Sequence, residues 1–67
     1  MLTSDHLLDE AAVAKRLLVK PKALQAWRVR GGGPAFVRVG RLVRYRPDDV
    51  EAWIESRTVR STSEARR

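Results

Sequence analysis

Between Ala11 and Pro47 the chain has no acidic residue but ten bases: Lys15, Arg16, Lys20, Lys22, Arg28, Arg30, Arg38, Arg41, Arg44 and Arg46. A solvated surface ordinarily mixes signs, so a one-sign block inside a foldable segment indicates a polyanionic partner. Groups able to read a base edge are interleaved with this charge. Lys22, Gln25 and Ala26, with Arg28 at the border, fall on one side of a helical stretch. Glutamine can pair with adenine in bidentate fashion, lysine and arginine reach guanine O6 and N7, and a small apolar side chain such as Ala26 touches a thymine methyl. Arg38, Arg41 and Arg44 surround Gly40, which keeps a turn slim enough for arginines to enter or straddle a minor groove. Double-stranded DNA is the partner this pattern implies. An anionic membrane surface is the second choice, and it suits a basic amphipathic helix better than a basic hairpin.

The inventory argues against catalysis. No Ser-His-acid set, phosphate-cradling glycine loop or metal cluster can be assembled, cysteine is absent, and the lone histidine, His6, sits near a terminus. Tyr45 among arginines resembles the setting of a tyrosine nucleophile, but such chemistry needs a larger scaffold than 67 residues provide. The expectation is a non-enzyme without metal or cofactor. No apolar run approaches the ~20 residues of a membrane span and no signal pattern opens the chain, so a cytoplasmic location is expected.

These side chains need a frame, and 67 residues make at most one thin-cored domain. Asp9 reads as an N-cap and Glu10 as a favourable first-turn charge. Leu8 and Val13 are spaced for a hydrophobic staple. Val13, Ala14, Leu17 and Leu18 form the inner stripe of this first helix, with Lys15 and Arg16 outward. A tight connection, Leu18-Val19-Lys20, leads to a second helix with Pro21 at its first position and Ala23, Leu24 and Trp27 inward. Gly31-Gly32-Gly33-Pro34 ends it, the glycines supplying left-handed conformations.

Ala35 to Val39 and Val43 to Arg46 then read as a hairpin. Two registers are open. A two-residue Gly40-Arg41 turn pairs Val39 with Leu42 and puts Val37 and Arg44 on one face. A three-residue loop places Val37, Val39, Val43 and Tyr45 inside and Arg38, Arg44 and Arg46 outside. Alternation favours the second. A third helix begins around Pro47-Asp48-Asp49, capped by Arg46 or Asp48. Its inner stripe is Val50, Trp53 and Ile54, joined by the aliphatic stem of Arg57. The expected core is Leu8, Val13, Leu17, Leu24, Trp27, Val50, Trp53 and Ile54. Trp27 and Trp53 serve as packing anchors rather than base-stacking platforms, and Tyr45 is half-buried with its hydroxyl at the surface. The fold class is mostly α with a β-hairpin: helix, helix, two-stranded wing, helix. Residues 1–6 read as a flexible N-terminus, 7–57 as the domain and 58–67 as a flexible basic tail.

Over about residues 7–57 the chain resembles the excisionase-type, MerR-like winged helix-turn-helix domains of phages, prophages and integrative elements, and AlpA-like regulators. Leu7-Leu8, Val13-Ala14 and Leu17 carry the resemblance, with Pro21, Leu24 and Trp27. So do the wing segments Val37-Arg38-Val39-Gly40-Arg41 and Val43-Arg44-Tyr45, and Asp49-Val50-Glu51-Ala52-Trp53. One departure stands out: many members carry Ser or Thr where this chain has Lys20, so the usual cap of the second helix is missing. Lysine there offers a phosphate contact instead. The resemblance implies a factor that binds adjacent DNA sites, in several copies, and helps an integrase excise a mobile element. A small prophage-type transcriptional regulator is the alternative, and an adaptor that sets its basic face on an acidic protein is a third. Effector sensing is not expected, since no long dimerisation helix follows residue 57.

Overall fold

In the computed structural model, which describes residues 6–60, the Asp9 carboxylate accepts from the Ala12 backbone N–H at 2.8 Å and starts the first helix, α1 (Glu10–Leu17). The helix ends one residue before the expected stripe does. Leu18 adopts a left-handed conformation (φ 59°), and its N–H turns back to the carbonyls of Ala14 and Lys15. The Val19 N–H also bonds the Ala14 carbonyl, at 3.0 Å, which completes a Schellman-type stop. This corrects the reading of Leu18 as an inward residue: it is 89% exposed, and Val19 packs against the core in its place. Glycine is the usual residue at such a position, because a Cβ there costs about 1 kcal/mol.

Three residues separate α1 from α2 (Pro21–Arg30). Lys20 occupies the N-cap without a side-chain hydrogen bond, and Pro21 takes the first helical position. Gly31 closes α2 at φ +87°, the one left-handed member of the glycine triplet. Gly33 has another reason to be glycine: a Cβ there would lie 2.9 Å from Trp27 Cβ and Cε3, so the chain could not pass so close to the indole. The Gly32 carbonyl accepts from Trp53 Nε1 at 3.2 Å, and the two indoles pack with centroids 5.3 Å apart. Both tryptophans therefore act as packing anchors, as expected, although each keeps partial exposure.

β1 (Val37–Val39) and β2 (Leu42–Arg44) form an antiparallel hairpin that pairs Val37 with Arg44, Arg38 with Val43 and Val39 with Leu42. The two-residue turn wins over the register that alternation favours. Gly40 has φ +63° while Arg41 stays at negative φ, the pattern of a type II′ turn, whose twist matches that of the strands it joins. Val43 and Tyr45 share a face in either register. The one-residue slip turns over only β1, so Val37 and Val39 join Leu42 and Arg44 on the outer face, and Val39 and Leu42 remain 45% and 52% exposed.

Tyr45 continues beyond β2 and exchanges both backbone hydrogen bonds with Leu8, at 2.7 and 2.8 Å, so the segment before α1 lies along the hairpin. α3 (Pro47–Ser56) follows, with Arg46 at its N-cap. The Arg16 guanidinium makes two hydrogen bonds to the Glu51 carboxylate, at 2.9 and 3.1 Å, which ties α1 to α3.

Every part of the chain sends one side chain to the centre. Val13 from α1, Leu24 from α2, Tyr45 from the end of the wing and Val50 from α3 are at most 1% exposed, with Ala14 beside them. Burying each is worth roughly 1.5–3 kcal/mol. Of the remaining expected core residues, Leu8, Leu17, Trp27 and Ile54 flank this cluster, while Trp53 stands outside it on Trp27. Tyr45 was expected half-buried with an exposed hydroxyl; it is instead a central core residue. The architecture is a small winged helix-turn-helix. No helix among the described residues is long and apolar enough to cross a membrane. The expected flexible ends fall largely on residues 1–5 and 61–67, which lie outside the described residues.

Candidate nucleic-acid interface

The outward side of α2 follows from its inward one. With Leu24 fixed in the core and Trp27 against Gly33 and Trp53, the helical repeat leaves Lys22, Gln25, Ala26 and Val29 exposed. Val29, 87% exposed, extends the stripe of Lys22 and Ala26 by one turn. Lys20, also exposed, stands at the entrance of the helix, where the free N–H groups of the first turn favour an anion. No ion pair engages Lys20 or Lys22 among the described residues.

Arg28 behaves differently from the expected rim residue. Its side chain is only 20% exposed. Nη1 donates to the Tyr45 hydroxyl at 2.9 Å and Nη2 to Glu10 Oε1 at 3.0 Å, while the guanidinium carbon sits 5.9 Å from the Phe36 ring centroid. Burial works against its charge, but the hydrogen bonds to Tyr45 and Glu10 outweigh that and raise its pKa above the ordinary value. The residue stays protonated at any working pH. Glu10 has a second visitor, since Gln25 Nε2 donates to Oε2 at 2.9 Å. One carboxylate at the start of α1 thus holds two side chains of α2, and one of these reaches the core tyrosine at the foot of the wing. No local pattern announces this cluster. Glu10 precedes Arg28 by 18 residues and reads in the sequence as a helix-dipole charge; only its position as the last acid before the basic block hints at more.

The wing presents its arginines on different sides. Arg38 shares a face with Val43 and Arg44 lies on the opposite one, so the expected common basic face does not form. Arg44 folds along its own strand, with Nη1 donating to the Val43 carbonyl at 2.8 Å. Arg41 is exposed in the turn beside Gly40, and Arg38 is exposed on its strand. Neither pairs with a carboxylate among the described residues. The wing therefore combines two unneutralised guanidinium groups with an outer face made of Val37, Val39 and Leu42.

The arrangement can hold a polyanion and read an edge. Among the described residues no three His, Cys, Asp or Glu side chains gather where they could hold a metal ion. A comparison with curated proteins finds no match. Residues 7–58, most of the chain, match the helix-turn-helix domain family, and this span agrees within a residue with the domain of 7–57 expected from the sequence. The order of elements, the three-residue turn and this match lead to one statement: the chain belongs to the helix-turn-helix domain family, whose members bind DNA through the second helix of the motif.

Proposed function

We propose that this domain is an excisionase-type accessory factor, which binds adjacent duplex sites as several copies and helps an integrase excise a phage or mobile element. It acts by binding alone, with no catalytic step or cofactor. α2 enters the major groove, where Lys22, Gln25 and Ala26 face base edges, and the wing follows the flanking minor groove with Arg38 and Arg41. Lys20 contacts a phosphate. The observation that carries this reading is the placement of unpaired cations on both elements that the winged motif offers to DNA, in a chain whose acids pair elsewhere or lie outside the segment. The resemblance of residues 7–57 to excisionase-type domains supports the finer role. A single short helix covers few base pairs, so useful specificity calls for neighbouring copies.

Two measurements test it. Mobility shifts across a salt series should give a slope of log affinity against log salt near −4.5, as about five phosphate contacts require. A slope near zero would remove DNA as the partner. An excision assay with a co-expressed neighbouring integrase should depend on the protein. Tight duplex binding without any effect on excision would move the role to promoter control.

A further inference from the structure

Glu10 is an acidic side chain next to a surface assigned to a polyanion, and electrostatics alone would disfavour it there. Its geometry explains its presence. Oε1 accepts from Arg28 Nη2 at 3.0 Å and Oε2 from Gln25 Nε2 at 2.9 Å; the carboxylate is 27% exposed and the arginine 20%. Arg28 is held from its other side by the Tyr45 hydroxyl at 2.9 Å, and Tyr45 is 1% exposed and paired through its backbone with Leu8, two residues before Glu10. The acceptor for Gln25 is therefore anchored in the core by a closed path through α1, α2 and the foot of the wing.

We infer that Glu10 is a positioning residue for base recognition: it fixes the Gln25 side-chain amide in one orientation on the exposed face of α2. The inference rests on the proposed major-groove reading of that helix. A glutamine amide offers one carbonyl oxygen and two N–H groups. With one N–H given to Glu10, the oxygen and the second N–H remain, which is the pair that meets the amino group and N7 of adenine. A flip of the amide would turn its oxygen toward the carboxylate, and that repulsion excludes the alternative. An unanchored glutamine rotates freely and accepts several bases; the anchored one selects. Glu10 never touches DNA in this scheme. Arg28 neutralises it, so the phosphates meet a closed ion pair rather than a bare anion.

The test is selection from a randomised duplex pool with full-length wild type, Gln25→Ala, Glu10→Ala and Arg28→Met, followed by affinities on the selected site and its single-base variants. Wild type should prefer one base, by roughly tenfold, at the position that Gln25→Ala frees. Glu10→Ala should lose that preference to within about twofold at the same position, with overall affinity equal or higher because a negative charge is gone. Arg28→Met, which leaves the Glu10–Gln25 contact in place, should keep the preference while lowering the melting temperature. Should Glu10→Ala weaken all sequences in parallel, or keep the wild-type preference, Glu10 is a structural residue and the inference fails. It fails equally if Arg28→Met erases the preference too. A wild-type protein that selects no motif overturns the DNA reading itself, a separate outcome. If Glu10→Ala does not fold, the wild-type side-chain amide of Gln25 decides by NMR relaxation: an immobilised amide supports the inference, and one as mobile as a free glutamine overturns it.

Discussion

Arg28 and Arg41 are the same side chain in opposite situations. Arg28 belongs to α2, the helix that the fold offers to the major groove, yet it turns inward to Glu10, Tyr45 and Phe36. Arg41 belongs to a two-residue turn with nothing buried beneath it and remains exposed. Both contribute equally to the basic stretch of the sequence. Only one contributes to a basic surface. The difference teaches that the two elements divide the work: α2 uses part of its charge to lock itself to α1 and the wing, leaving a few well-held groups to read, whereas the turn carries charge that is free to grip.

The largest effect that can break this contrast is on stability. Arg28→Ala leaves the Glu10 carboxylate and the core Tyr45 hydroxyl without their partner. After allowance for the partial exposure of the pair, the loss should be about 2 kcal/mol, and thermal unfolding should show a clear drop in Tm. Its salt slope on DNA should match that of wild type. If instead the protein stays as stable and the slope falls, Arg28 is a phosphate ligand and the contrast disappears. The mirror experiment is Arg41→Ala. Affinity should fall by roughly a factor of ten on every sequence, with the salt slope reduced in magnitude by about 1 and Tm unchanged. A sequence-dependent loss would make Arg41 a reader rather than a grip.

The smallest effect sharpens the picture at the entrance of α2. Lys20→Ser supplies the side-chain cap that the helix lacks and should add about 1 kcal/mol to stability while weakening DNA binding. Unchanged binding would show that Lys20 contributes no phosphate contact.

How far the sequence was legible followed the range of each signal. Caps and periodicities act within one turn, so Asp9, Pro21 and the inward set of Val13, Leu24 and Val50 were legible, as was the glycine stop after α2. The hairpin was legible as an element but not in register. Alternation is a statement about faces, and here the turn geometry of Gly40-Arg41 outweighed it, at the cost of leaving Val39 and Leu42 half in water. Leu18 misled for a related reason: a helical repeat cannot show where the helix stops, and the left-handed stop reversed its direction.

The sequence by itself determined that a short acid-free segment would fold into helix, tight turn, helix and hairpin, because each of those choices is made by neighbours a few residues apart. Tertiary structure alone decided which bases face water. Burying Tyr45 brought its hydroxyl to Arg28 and laid Leu8 along the wing, and that placed Glu10 between α1 and α2. Contacts across 15 to 35 residues, from Gln25–Glu10 to Arg16–Glu51, depend on the packing of the whole core and on no local pattern.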